Sequence, residues 1–157
     1  MSLKDLIFQK GGIGVSMSRQ ETIERLNPLI ERHMALNHRY HNALGHLGRA
    51  DVAEPLRALL KIARVDVGKL AETVLSAGGV PYNGVAMEPS DYPAEGDDDA
   101  VLAALLDEET AWQDTLLDAL QADHQIRTAA VLSLLRDNSR DRLDLLKQAT
   151  RGRRRRT

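Results

Sequence analysis

Four of the five histidines fall within one short stretch, at His33, His38, His41 and His46. Imidazole ligates metals and changes charge near neutral pH, so such a cluster is the first place to look for chemistry. His38 and His41 stand three residues apart. On a helix that spacing puts both on one face, within reach of one ligand or one subunit interface. The plainer reading is of partly exposed helix polars. A second group lies at the other end of the chain. Arg151, Arg153, Arg154, Arg155 and Arg156 crowd the last seven residues, while the remainder of the chain is acidic. A basic tail on an acidic body suits nucleic acid or an acidic partner, and equally a solvated terminus. Several chemistries are excluded. There is no cysteine, hence no disulfide, thiolate catalysis or iron–sulfur cluster. Gly11-Gly12-Ile13-Gly14 is not followed by Gly-Lys-Ser/Thr, so it is no phosphate loop. No nucleophile elbow is present, because no strand pattern precedes a helix.

Composition says which elements must position these groups. The 157 residues suit one domain with a real core. Hydrophobic residues make up 43% and aromatics only 3%, and the apolar set is dominated by Leu and Ala, which favour helices over strands. No apolar run approaches the length of a membrane span. Lys4, Asp5 and Lys10 interrupt the early apolar residues where a signal peptide would need continuity, so a cytoplasmic location is expected.

Four helical stretches follow from the spacing. Ser18-Arg19-Gln20-Glu21 reads as a capping box opening the first. Leu26, Ile30, His33, Asn37, Tyr40, Leu44 and Leu47 recur along it at helical intervals. Pro28 predicts a kink, or a true start with Asn27 as cap. Asp51-Val52-Ala53-Glu54 opens the second, and Gly78-Gly79 with Pro81 stops it. Residues 80–95 are rich in Gly, Pro, Asn, Asp and Ser and form the one long connection. Asp97, Asp98 and Asp99 then place negative charge at the start of the third helix, where the macrodipole favours it. The fourth is expected from near Asp123, with an inner stripe of Ile126, Val131, Leu134, Leu135, Asn138, Asp141, Leu145 and Leu146. Short links between one and two and between three and four predict two antiparallel hairpins, and the long link predicts a crossover between them. The expected organisation is an N-terminal arm over residues 1–17, an all-α four-helix bundle over residues 18–150, and the basic tail over residues 151–157. In the arm, Leu3, Leu6, Ile7 and Phe8 would form a short amphipathic turn or a frayed end.

One stretch carries a family resemblance. Leu70-Ala71-Glu72-Thr73-Val74-Leu75-Ser76-Ala77-Gly78-Gly79-Val80-Pro81 resembles the end of the second helix in the ferritin-like superfamily. Leu26-Asn27-Pro28-Leu29-Ile30 is similar to the first-helix opening of uncharacterised bacterial ferritin-like proteins, and residues 101–120, with Glu108-Glu109, resemble their third helix. The resemblance implies a ferritin-like antiparallel four-helix bundle and, within it, a di-iron site. Such a site takes one Glu from each of two helices and Glu-x-x-His from each of the others. No Glu-x-x-His occurs in this chain. Carried over position by position, the second-helix pair falls near Ala63 and Asp66, and the fourth-helix pair near Asn138 and Asp141. The first-helix Glu position falls near His38, with His41 one turn on, and Glu109 alone keeps the expected carboxylate. Ferroxidase chemistry is therefore not expected. His38, His41, Asp66, Glu109 and Asp141 remain as candidate ligands for one iron, zinc or manganese ion.

Against that stands a simpler expectation. Asn37, Tyr40, Glu109 and Asn138 would form a buried hydrogen-bonded layer that sets helix register, with no cofactor. Trp112, at core spacing, is expected to pack. The functional expectation is a non-enzymatic bundle acting through self-association or partner binding, for instance in stress response. A homo-oligomer is expected. The alternatives are metal binding or iron storage, and nucleic-acid binding through the arginine tail.

Overall fold

The computed structural model describes residues 16–154, with backbone alone at 153 and 154. The described chain is four long helices: α1 (Arg19–His46), α2 (Ala50–Ser76), α3 (Asp98–Ala119) and α4 (Ile126–Arg154). A single 3-10 turn, Pro89–Asp91, interrupts the connection from α2 to α3. No strand occurs among the described residues. The expected N-terminal amphipathic turn lies outside them.

Each helix end has a local cause. The Ser18 hydroxyl accepts from the Glu21 amide at 3.1 Å, so the capping signal opens α1 where it was expected. The helix then runs through Pro28. Asn27 is not a cap. Its side chain turns outward to the α2–α3 connection, donating to the Val80 carbonyl at 3.0 Å and accepting from the Tyr82 amide at 2.8 Å. A proline here removes one N–H from the ladder without ending the helix, because Leu26, Leu29 and Ile30 on either side are buried in the core.

The start of α2 is capped from elsewhere in the chain. Arg49 makes no side-chain cap. Instead the Asp98 carboxylate, at the first position of α3, accepts from the Gly48 amide at 3.1 Å and the Arg49 amide at 3.0 Å. One carboxylate thus serves the positive ends of two helices. At the other end of α2, Gly78 takes φ +87°, and the Gly79 amide donates back to the Val74 carbonyl at 3.0 Å. Gly79 lies against α1, since a Cβ there would stand 2.7 Å from Ile23 Cγ1.

The long connection is tied to α1 along its course. After Asn27 it passes Gly84, which leaves room for Met34 Sδ at a position where a Cβ would come within 2.8 Å. Asn42 donates to the Pro89 and Tyr92 carbonyls at 2.8 and 2.7 Å, and His46 meets the Gly96 carbonyl at 2.6 Å. At the opposite end of the molecule, the Met17 amide donates to the Asp123 carbonyl at 2.9 Å. Met17 is itself buried.

The closest helix packing is α1 on α2, α2 on α4, α4 on α3 and α3 on α1. Leu26, Ile30, Leu56, Leu70, Leu102, Leu116, Leu132, Leu135 and Leu146 are fully buried between them. Each contributes about 1.5–3 kcal/mol of burial free energy. One expectation needs correction here. On α4 the buried positions are Thr128, Leu132, Leu135, Ser139, Arg142, Leu143, Leu146 and Ala149, whereas Ile126, Leu134 and Asp141 are exposed. The inner stripe is rotated by about one residue from the expected one. It carries polar groups that an apolar periodicity passes over.

Candidate functional site

Glu109 lies at the centre of α3 and is fully buried, at 0% exposure. A buried carboxylate needs compensating partners, and four contacts provide them. The Tyr40 hydroxyl, from α1, donates to Oε1 at 2.6 Å. The Ser139 hydroxyl, from α4, donates to Oε2 at 2.7 Å. Arg142, also on α4 and only 1% exposed, donates from Nε to Oε1 in a short contact and from Nη2 to Oε2 at 3.3 Å. The bidentate guanidinium, phenol and hydroxyl together occupy the roughly four lone-pair sites that a carboxylate offers. Three helices are joined through one side chain.

The electrostatics agree with this geometry. Burial by itself would push Arg142 down. The charge and hydrogen bonds of Glu109, with Tyr40 and Asp66, outweigh it and leave the guanidinium above its usual range. Tyr40 is held well above the ordinary phenol value, by burial first and by the Glu109 charge second. It therefore remains a phenol and a donor.

A second polar pair lies one layer away. Asn138, on α4, donates to both oxygens of Asp66, on α2, at 3.0 and 3.1 Å. Burial raises the Asp66 pKa, only partly offset by the Asn138 hydrogen bonds and the charge of Arg142. Asn37 donates to the Ala63 carbonyl at 3.3 Å, linking α1 to α2. His33 is fully buried and stacks on Trp112, ring centroids 4.7 Å apart, and neither ring nitrogen has a hydrogen-bond partner. Burial, assisted by the Arg142 charge, pushes its pKa well below 6.5. It is a neutral ring packed as an aromatic.

The five candidate ligands are not all brought together, although Asp66 and Glu109 are near enough to feel each other's charge. Glu109 is in the interior with Arg142, and Asp66 is paired with Asn138. Asp141 is exposed on α4. His38 stacks on Tyr92 of the connection, centroids 5.5 Å apart, and His41 accepts from Arg64 of α2 at 3.3 Å. The two histidines line a surface cleft whose lining includes none of the three carboxylates. Among the described residues, no three His, Asp or Glu side chains are grouped as a metal would require. The donor set that the resemblance implies does not fit an ion here, since the Glu109 lone pairs are taken and a guanidinium stands where a cation would have to approach. The expected hydrogen-bonded layer is present in part. Tyr40 and Glu109 are bonded to each other, but Asn138 serves Asp66, and Ser139 and Arg142 complete the cluster. In the arginine tail, Arg151 is exposed in the last turns of α4; Arg153 and Arg154 continue the helix, and Arg155 and Arg156 lie outside the described residues.

Arg142 escaped the sequence reading, although a signal existed. Thr128, Leu132, Leu135, Ser139, Arg142, Leu146 and Ala149 alternate steps of four and three, a continuous inner stripe once polar residues are admitted to it.

No known protein-family model matches the chain, and no curated protein is significantly similar to it.

Proposed function

We propose that this protein is a ferritin-like bundle, two antiparallel hairpins joined by a crossover along α1, whose interior is closed by an internal ion pair, and that it acts non-enzymatically through self-association. The contacts at helix ends support the arrangement. Asp98 joins the starts of α2 and α3, and the connection between them follows α1 from Asn27 to His46. The observation that carries the functional reading is the saturation of Glu109 by Tyr40, Ser139 and Arg142. The guanidinium supplies the positive charge that a buried carboxylate needs, inside the protein and without a resident ion.

Association is supported by exposed apolar side chains on the neighbouring helices α2 and α4. Ile62 and Val65 on α2, and Leu134 on α4, are exposed large apolar side chains, with Val65 at 59%. Apolar groups on adjoining helices are suited to burial against a second copy. Two measurements on the purified chain test the reading. Elemental analysis after chelator-free purification from iron-, zinc- and manganese-supplemented cells is expected to give substoichiometric metal, with a melting temperature unchanged by EDTA. Sedimentation velocity is expected to show a dimer or larger species that Val65→Asp shifts toward monomer. Stoichiometric metal would overturn the closed-interior reading. A monomer at all concentrations would overturn the association.

A further inference from the structure

A cleft of about 590 Å³ opens between α1, α2 and the long connection. Its lining combines polar side chains, His38, His41 and Arg64 among them, with the apolar Met34, Val67 and Pro89. No Asp or Glu lines it, although the chain as a whole has more acidic than basic residues. Among the described residues, Arg64 makes no ion pair with a carboxylate. Among the described residues, its side chain's hydrogen bond goes to His41 Nδ1. A guanidinium has no acceptor atoms, so Nδ1 is the acceptor in this contact. The guanidinium and the His41 ring thus stand side by side in the lining of the cleft. His38 stacks flat on Tyr92, and Arg39 lies over the same ring at 5.4 Å, which braces the wall of the cleft. The volume falls within the range of small-molecule sites, which join an apolar lining to a few convergent polar groups.

We propose that this cleft binds a small organic anion, one carboxylate or phosphate group on an apolar body. The anionic group is held by Arg64 and His41, and the body lies against Met34, Val67 and Pro89. The site is separate from the Glu109–Arg142 cluster and does not depend on self-association. Asn27, Asn42 and His46 pin the connection to α1 on either side of Gly84, so the cleft is formed before ligand arrives.

The test uses phenyl phosphate as probe against the full chain, followed by ¹H–¹⁵N chemical shifts. Inorganic phosphate and phenol serve as the two halves of the ligand. Saturable shifts at residues around Met34, His38, His41 and Arg64 are expected with phenyl phosphate, at least about tenfold weaker with either half. Arg64→Gln is expected to weaken binding by at least about tenfold, the worth of one charge-assisted hydrogen bond. Arg57→Gln, an exposed arginine of the same helix outside the cleft, is expected to leave it unchanged. Absence of saturable shifts up to about 10 mM probe would overturn the proposal, being weaker than a single good contact allows. So would affinity untouched by Arg64→Gln, or phenol binding as tightly as phenyl phosphate.

Discussion

Arg142 and Glu109 depend on each other because neither charge reaches water. Removing either partner strands the other, which typically costs about 3–5 kcal/mol. Arg142→Met and Glu109→Gln are each expected to lose that much in urea denaturation, and the double variant clearly less than the sum of the two. Strict additivity would show that the pair is not coupled. His33 makes a separate prediction. Its folded pKa is depressed, so below about 6.5 the unfolded chain binds a proton that the folded chain refuses. Stability should therefore fall as pH drops through 6.5 toward the folded value. Asp66, raised from 3.8, acts with the opposite sign in a lower window, where its ionisation costs stability as pH rises. His33→Phe keeps the stack on Trp112 and has no proton to gain. The difference in unfolding free energy between wild type and His33→Phe should therefore shift against wild type on acidification from about pH 7 to 5. A pH-independent difference would mean that His33 ionises freely. Of these groups, Glu109 was expected in a buried hydrogen-bonded layer with Tyr40. Arg142 was not, because arginine ordinarily lies at the surface and only its partner makes its burial affordable.

The helices themselves were legible wherever a local signal ends them. Ser18 with Glu21, Gly78 with Gly79, and Asp97 all act where their residue types predict. The connection from α2 to α3 was legible as long and turn-rich, but its course along α1 depends on Asn27, Asn42 and His46 meeting backbone groups about 50 residues away. The Asp98 cap on α2 is likewise invisible locally, since the carboxylate belongs to another helix. Gly79 offers the test of how closely these pieces fit. Gly79→Ala drives a methyl into Ile23 and is expected to cost about 1–3 kcal/mol in thermal or urea unfolding. Ile23→Ala in the same chain should recover much of that loss. If Gly79→Ala is neutral, α2 does not end against α1 at that distance.

For the molecule as a whole, an all-α, four-helix bundle followed from the Leu- and Ala-rich composition and the 3.6-residue rhythm of the chain. No described helix is long and apolar enough to cross a membrane. Those properties depend on local propensity and periodicity, which one sequence carries in full. What only the tertiary structure decided is which polar residues face inward and whom they meet. A one-residue rotation of α4 replaced Asn138 and Asp141 with Ser139 and Arg142 at the centre. It moved Asp141 to the surface and turned a carboxylate that looked available into one already satisfied. The packing of α1 on α2 likewise puts His38 and His41 in a cleft beside Arg64. The physical reason is range. Helix formation is set by neighbours three and four residues apart, whereas the partner of a buried charge is chosen by the packing of helices far apart in sequence.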